Sequence, residues 1–286
     1  MPLRDRQHMP GLNPDRADII VAGLVLVDAL MRRLGVNRLL VHEGGIRDGL
    51  LRTMVAKLTG GDDTTGKLDP LRAVRRFARA CGYEHRHCHH VTALALSIFD
   101  QVAAIPGAIH PDATAQLTPR ARLLLEAGSL LHDVGYLINY DQHHKHGYHL
   151  VVHADLPGFN AAEIEVIANL ARYHRRSEPK RGHRNFDRLP KAERDLVALL
   201  AGILRIADGF DRTHMQRVER IELIPGPGER ELEFVVTAAI EPEVDVWGAT
   251  RKADLFARVF RVDPSFRWAP AVAASVAREA DPAPIR

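Results

Sequence analysis

The 286-residue sequence predicts a mainly α-helical protein, with a short α/β segment before the helices and a small α+β module after them. Three observations lead there. Between residues 67 and 214, apolar side chains recur at helical spacing in segments bounded by helix start and stop residues. Residues 16–55 combine one such segment with a short apolar run of strand type. After Met215 the period shifts to the two-residue alternation of strands.

In the first segment, residues 1–60, Ile19, Ala22, Val25, Leu26 and Leu30 share a helical face. Arg38–His42 reads as a short strand, Gly44-Gly45 as a turn, and a helix starts near Ile46. This is too little for an independent α/β domain, and the polar run Gly60–Gly66 marks a boundary. The helical domain, 67–214, opens with helices over Leu71–Ala80 and His85–Asp100. Thr118-Pro119 starts the next, threonine as N-cap and proline at the first helical position, and it runs to His132-Asp133. Asn160-Ala-Ala-Glu163 has capping-box spacing and opens a helix reaching His174. The last runs from Lys191 to Asp208. In the final module, 215–286, Val218–Ile224 and Glu231–Ala238 read as strands joined by Pro225-Gly-Pro-Gly228. A helix fits Ala249–Phe260, and the proline- and alanine-rich tail after Asp263 reads as extended.

Composition narrows the function classes. The chain can bury a core without staples. Its two cysteines, Cys81 and Cys88, lie seven residues apart on a helix and too far to bridge, which argues for a reducing compartment. No signal peptide opens the chain, and the apolar stretch Ile19–Met31 is interrupted by Asp28 and too short to span a bilayer. A cytoplasmic protein without a membrane partner is expected. A net charge of +3 reads as a solvated surface, and no basic stretch interleaved with aromatics suggests sequence-specific nucleic-acid readout. Trp247 and Trp268 read as packing residues.

Sixteen histidines are unusual, and most fall between His85 and His183. The pair His132-Asp133, in Leu130-Leu-His-Asp-Val-Gly135, joins an imidazole to a carboxylate after an apolar helix, a compact donor set for a divalent cation. His87 lies one turn before Val91 at the head of the apolar stripe Val91, Leu94, Ala95 and Ile98. Asp208 follows Leu204 by one turn. Three buried helices thus begin or end in a potential ligand, and if they pack together the ligands converge. Two imidazoles and two carboxylates leave open positions for water and substrate. His85, His89 and His90 compete with His87 for its role.

The set His87…His132-Asp133…Asp208 resembles the HD superfamily of metal-dependent phosphohydrolases. More narrowly, the chain resembles the carboxyl-terminal half of the Ppx/GppA family of exopolyphosphatases and guanosine pentaphosphate phosphatases. The match rests on His87-Cys-His-His-Val91, Leu131-His-Asp-Val-Gly-Tyr136, His143-His-Lys-His146, Asp155-Leu-Pro-Gly-Phe159, Arg172-Tyr-His-Arg175 and Ile206-Ala-Asp-Gly-Phe-Asp-Arg212. It covers most of residues 12–262. Residues 15–55 resemble the closing part of that family's actin-like domain. The resemblance implies an HD-type helical domain and one or two divalent metal ions, of Mn, Fe, Zn, Ni or Mg. By analogy with six-ligand HD enzymes, His143 and His174 are second-metal ligands, with His144 and His146 as competitors for the first of these roles.

The family places its glycine-rich phosphate loops and catalytic glutamate in an actin-like amino-terminal half that this sequence does not contain. The expectation is therefore that catalysis comes from the histidine cluster, with Asp133 and Asp211 as catalytic carboxylates. Lys145, Arg175, Arg176 and Arg212 are the candidate contacts to a polyanionic substrate, polyphosphate or a phosphorylated nucleotide. The competing expectation is a non-catalytic module that binds polyphosphate or a partner. A homodimer, or a separate actin-like phosphatase chain, is a possible partner.

Overall fold

A computed structural model describes residues 1–36, 69–105, 110–228 and 230–271, together with Leu39, Gly45, Arg47 and Leu50. The chain divides into two compact units, Met1–Lys67 and Leu68–Arg286. In the first, helix α1 spans Leu3–Gln7 and α2 spans Ile20–Leu34. Between them the Asn13 side chain caps a turn of 3-10 helix by accepting from Asp15 N. Gly35, at φ 64°, ends α2 in the left-handed conformation that glycine adopts without steric cost. The strand expected at Arg38–His42, the Gly44-Gly45 turn and the Gly60–Gly66 linker fall almost wholly outside the described residues.

The second unit is mainly helical. Its principal helices are α3 (Pro70–Ala80), α4 (His85–Ala104), α5 (Pro119–Leu131), α6 (His143–Val152), α7 (Ala161–Tyr173) and α8 (Lys191–Gly209). Three of these helices, α3, α5 and α7, start at capping residues in the sequence. Asp69 accepts from Leu71 N, and Thr118 accepts from Ala121 N at 3.1 Å. Asn160 and Glu163 form the reciprocal capping box, 3.0 Å from Asn160 Oδ1 to Glu163 N and 2.8 Å from Glu163 Oε2 to Asn160 N. The stripes Val91, Leu94, Ala95 and Ile98 on α4, Leu124, Leu125 and Leu131 on α5, and Leu200, Ile203 and Leu204 on α8 are all buried in one continuous core. Each valine, leucine or isoleucine among them contributes about 1.5–3 kcal/mol on leaving water. Helix α6 was not delimited from sequence, because its first turn is polar and histidine-rich.

The carboxyl-terminal sheet has three strands, β1 (Arg220–Pro225), β2 (Glu231–Ala238) and β3 (Asp263–Pro270), with β2 in the centre. β1 and β2 pair antiparallel, Ile221 opposite Val236, as a hairpin requires. β2 and β3 pair parallel, Phe234 opposite Phe266. A parallel pair needs a crossover, here helices α9 (Glu243–Thr250) and α10 (Asp254–Phe260). Two sequence expectations change. The single helix Ala249–Phe260 is two helices, α9 and α10, separated by a turn at 251–253, and both dock on α8. The described start of the segment after Asp263 is extended, as a paired strand over Asp263–Pro270, and residues 272–286 lie outside the described residues.

Phe234 packs on Phe256 and Phe266, with ring centroids 5.4 and 5.0 Å away, and Phe210 at the end of α8 meets Phe266 at 5.7 Å. The core cluster runs without a break from Val74 to Val262, so helices and sheet share one interior. Among the described residues no helix is long and apolar enough to cross a membrane.

Candidate metal centre

The ends of four helices converge. His87 sits in the first turn of α4, and His132 is the C-cap of α5 with Asp133 immediately after it. His143 opens α6, and His174 is the C-cap of α7. All five side chains are buried. Gly135 makes the convergence possible. A Cβ there would lie 1.9 Å from the His143 carbonyl oxygen and 2.6 Å from Gly147 N, so only glycine lets the turn after Asp133 lie against α6.

The imidazoles have a common orientation. Nδ1 donates outward in three of them: His132 to Ser129 O at 2.7 Å, His143 to Tyr140 O at 3.0 Å, and His174 to Ala171 O at 2.8 Å. In the fourth, His87 Nδ1 lies 2.9 Å from Asp211 Oδ2. These partners fix the tautomer and turn every Nε2 inward. The inward nitrogens form two pairs, His87–His132 at 3.2 Å and His143–His174 at 3.3 Å. Asp133 lies between them. Its Oδ2 is 3.7 Å from His87 Nε2 and 3.4 Å from His132 Nε2. Its Oδ1 is 3.2 Å from His143 Nε2 and 3.4 Å from His174 Nε2. Two donor groups able to hold a metal ion result, His87/His132/Asp133 and Asp133/His143/His174. Asp208 adds Oδ1 to the first, 3.5 Å from His87 Nε2. The donor set suits a borderline divalent cation: two lone pairs facing each other across 3.2 Å repel unless a proton or a cation lies between them.

Electrostatics follow from this crowding. Burial opposes charge on His87, but the carboxylates of Asp208 and Asp211 outweigh it and raise its pKa to about 9. Burial likewise disfavours charge on His132 and on Asp133. Their mutual attraction wins, holding His132 well above the usual histidine range and Asp133 well below the carboxylate range. At His174 burial prevails, and its pKa falls.

Each residue expected from sequence has a definite place. His87, His132, Asp133, His143, His174 and Asp208 are brought together, and of the competing histidines it is His143 that faces Asp133. His144, buried beside Arg172 and other cations, is pulled down to about 4. His85 and His89 stack on each other at 4.1 Å, with His89 Nε2 3.0 Å from the Tyr83 hydroxyl. Asp211, expected as a catalytic carboxylate, is fully buried with its oxygens turned to His87 Nδ1 and to Gln216 N and Nε2. It thus meets His87 at Nδ1, the ring nitrogen turned away from the other histidines.

Of the expected substrate contacts, only Arg175 touches the centre, with Nη1 3.4 Å from His143 Nε2. Arg212 lies over the indole of Trp247 at 5.1 Å, and Trp247 is half exposed, so it is a surface platform and not the packing residue expected. Lys145 bonds the Gln142 side-chain oxygen on the exposed side of α6. Arg176 is exposed in a left-handed conformation at φ 60°.

Sequence reasoning missed two neighbours of the centre. Lys252, in the turn between α9 and α10, pairs with Asp208 Oδ2. His214 stacks on His87 at 3.8 Å and bonds Glu84 through Nδ1 at 2.8 Å. The short Asp211–His214 interval could have flagged the second; nothing in the sequence marks the first.

A family model described as Ppx/GppA phosphatase, domain III, matches residues 71–235. The chain is 30% identical over 199 residues to the guanosine-5'-triphosphate,3'-diphosphate pyrophosphatase of Pseudoalteromonas translucida, a match covering 70% of this chain and 36% of that protein. It is 28% identical over 165 residues to the protein of the same name from Photobacterium profundum, covering 58% and 30% respectively. The chain spans about a third of the length of the curated relatives it matches.

Proposed function

The chain belongs to the Ppx/GppA phosphatase domain III family, and from that premise we propose that its His/Asp centre is a divalent-metal phosphohydrolase site of HD type. The observation that carries the reading is the pairing of four Nε2 atoms around one carboxylate, with every Nδ1 committed elsewhere. His87, His132, Asp133 and Asp208 would hold one ion; Asp133, His143 and His174 would hold a second. When bound, a divalent ion supplies Lewis-acid polarisation of a phosphoryl oxygen and lowers the pKa of water.

The chain's own residues do the rest. Asp211 holds His87 in the tautomer that presents Nε2. Lys252 neutralises the outer oxygen of Asp208. Arg175, half-buried against the His143 ring, is placed to receive a phosphate oxygen at the mouth and offset charge that develops there. The substrate class is a phosphoanhydride or phosphoester polyanion. The names of the relatives make a guanosine nucleotide carrying a 5'-triphosphate and a 3'-diphosphate the first to test, with polyphosphate second.

A non-catalytic phosphate-binding module is the second reading. It is favoured by Arg212 and Lys145, which turn to Trp247 and Gln142 and not to the centre.

The test is metal content by mass spectrometry on protein purified without chelator, with turnover of both substrates. The expected result is one or two equivalents of metal and measurable hydrolysis, both lost in His132→Ala/Asp133→Ala while the helical fold persists. Undiminished hydrolysis in the double variant overturns the site. Metal without hydrolysis, with polyphosphate bound, supports the second reading.

A further inference from the structure

Lys145 and Arg172 each stand two residues from a candidate ligand, His143 and His174. On an α-helix two residues is a rotation of about 200°. These cations therefore leave α6 and α7 on the side away from the centre. There they line a cleft of about 340 Å³ with Arg184, Asn185 and Arg188. Volumes of this order are those of small-ligand sites.

The charge of the cleft is one-sided: it is lined by four cationic side chains and no carboxylate. Arg188 is neutralised from behind by Glu165, and the two jointly hold the Tyr148 hydroxyl. Arg172 and Arg184 have no ion pair among the described residues. Arg172 is half-buried, its guanidinium 5.7 Å from the Tyr173 ring. Asn185 is held in place by bonds to Asn169 Oδ1 at 2.8 Å and to the Tyr173 hydroxyl at 3.2 Å. A cation drawn partly out of water without a counter-charge is unfavourable and is relieved by an anion. Guanidinium forks match phosphate oxygens in pairs.

We propose that this cleft is a second binding site, separate from the His/Asp centre, for a compact diphosphate group. Arg172 and Arg184 grip its oxygens, Lys145 supplies a third charge, and Arg188 and Asn185 form the fixed wall. The diphosphate is free or is part of a nucleotide. The site does not depend on the hydrolytic reading, because none of its cations touches the centre.

The experiment is calorimetric titration of inorganic pyrophosphate into the full chain at low and moderate salt, with a nucleoside diphosphate as a parallel arm. Binding is expected to weaken as salt rises. Removing a hydrogen bond to a charged group weakens binding roughly tenfold or more, and that is the loss expected for Arg172→Gln/Arg184→Gln. Arg184→Gln alone, at an exposed position, keeps the test valid if the double variant folds poorly. His132→Ala/Asp133→Ala, or chelator-treated wild type, is expected to retain pyrophosphate binding. The proposal is overturned if wild type does not bind, if the arginine variants bind as wild type does, or if binding disappears with the centre. Tighter binding of the nucleoside diphosphate assigns the site to a nucleotide; tighter binding of pyrophosphate assigns it to the free group.

Discussion

Replacing Gly135 by alanine tests whether one backbone contact holds the second half of the centre together. The added Cβ would lie 1.9 Å from the His143 carbonyl oxygen, whereas ordinary van der Waals contact begins near 3.4 Å, so the turn and α6 must separate by about 1.5 Å. His143 Nε2 then moves out from its position 3.2 Å from Asp133 Oδ1, and the Asp133/His143/His174 group opens. His87 and His132 come from α4 and α5, which the substitution does not touch. On the two-ion reading, the two equivalents expected of the wild type should fall to one. Overpacking of this kind costs about 1–3 kcal/mol. At about 2–4 °C per kcal/mol for a domain of this size, the melting temperature should drop by roughly 2–12 °C, measured with chelator present. Mass spectrometry reads the metal and calorimetry the unfolding. A Gly135→Ala protein with two equivalents of metal and the wild-type melting temperature would refute the reasoning.

Further outcomes follow from other contacts. Asp211→Asn keeps the shape of the side chain but removes the charge that fixes His87; cation affinity should fall about 10–100-fold in chelator competition, and unchanged affinity would remove Asp211 from its positioning role. Arg175→Gln should raise KM for the phosphorylated substrate at constant metal content, and an unchanged KM would show that substrate does not reach it. Glu163 is pulled below the usual carboxylate range, chiefly by its bond to Arg120, against the opposing effect of burial. A carboxylate with a depressed folded pKa stabilises above its unfolded value of about 4.3 and loses that contribution as pH falls through the folded value. Glu163→Gln should therefore cost up to ~1 kcal/mol at pH 7, the half-exposed arginine limiting the gain. The gap to wild type should narrow in urea titrations as pH falls below about 4.3; a gap independent of pH would assign the effect to packing.

Much of the centre could be read from the sequence because its ligands sit at helix ends. Threonine 118 and the Asn160 box announce where α5 and α7 begin, and the apolar stripes show how far they run, so His132 and His174 could be placed before any coordinates existed. Period says which face of a helix is buried, but it does not say what a residue beyond the helix end turns toward. Asp211 is such a residue. The turn after α8 aims it at His87 from behind, 124 positions away in sequence. Lys252 reaches Asp208 only because Gly209 lets α9 dock on α8; a Cβ at Gly209 would lie 2.5 Å from Ala249 Cα. The expected substrate contacts divide for a related reason: Arg175 reaches the centre, whereas Lys145 and Arg212 turn to other partners. Nearness in sequence to a ligand does not put a side chain on the ligand's face of the helix, and Lys145 projects the other way. Strand β3 was hidden by Pro264 and Pro270, which sit on the edge of a sheet, where proline is tolerated.

The parallel pairing of β2 with β3 has a consequence for how the protein is made. All six residues of the His/Asp centre have been synthesised once Asp208 is translated, yet the strand that completes the sheet begins only at Asp263. Until then β2 has β1 on one side and an open row of amides and carbonyls on the other, beside Phe234, which still lacks the Phe266 ring. An open strand edge next to apolar surface invites pairing with another chain. A nascent or truncated protein ending before Asp263 would carry the complete ligand set and still be the form most prone to aggregate.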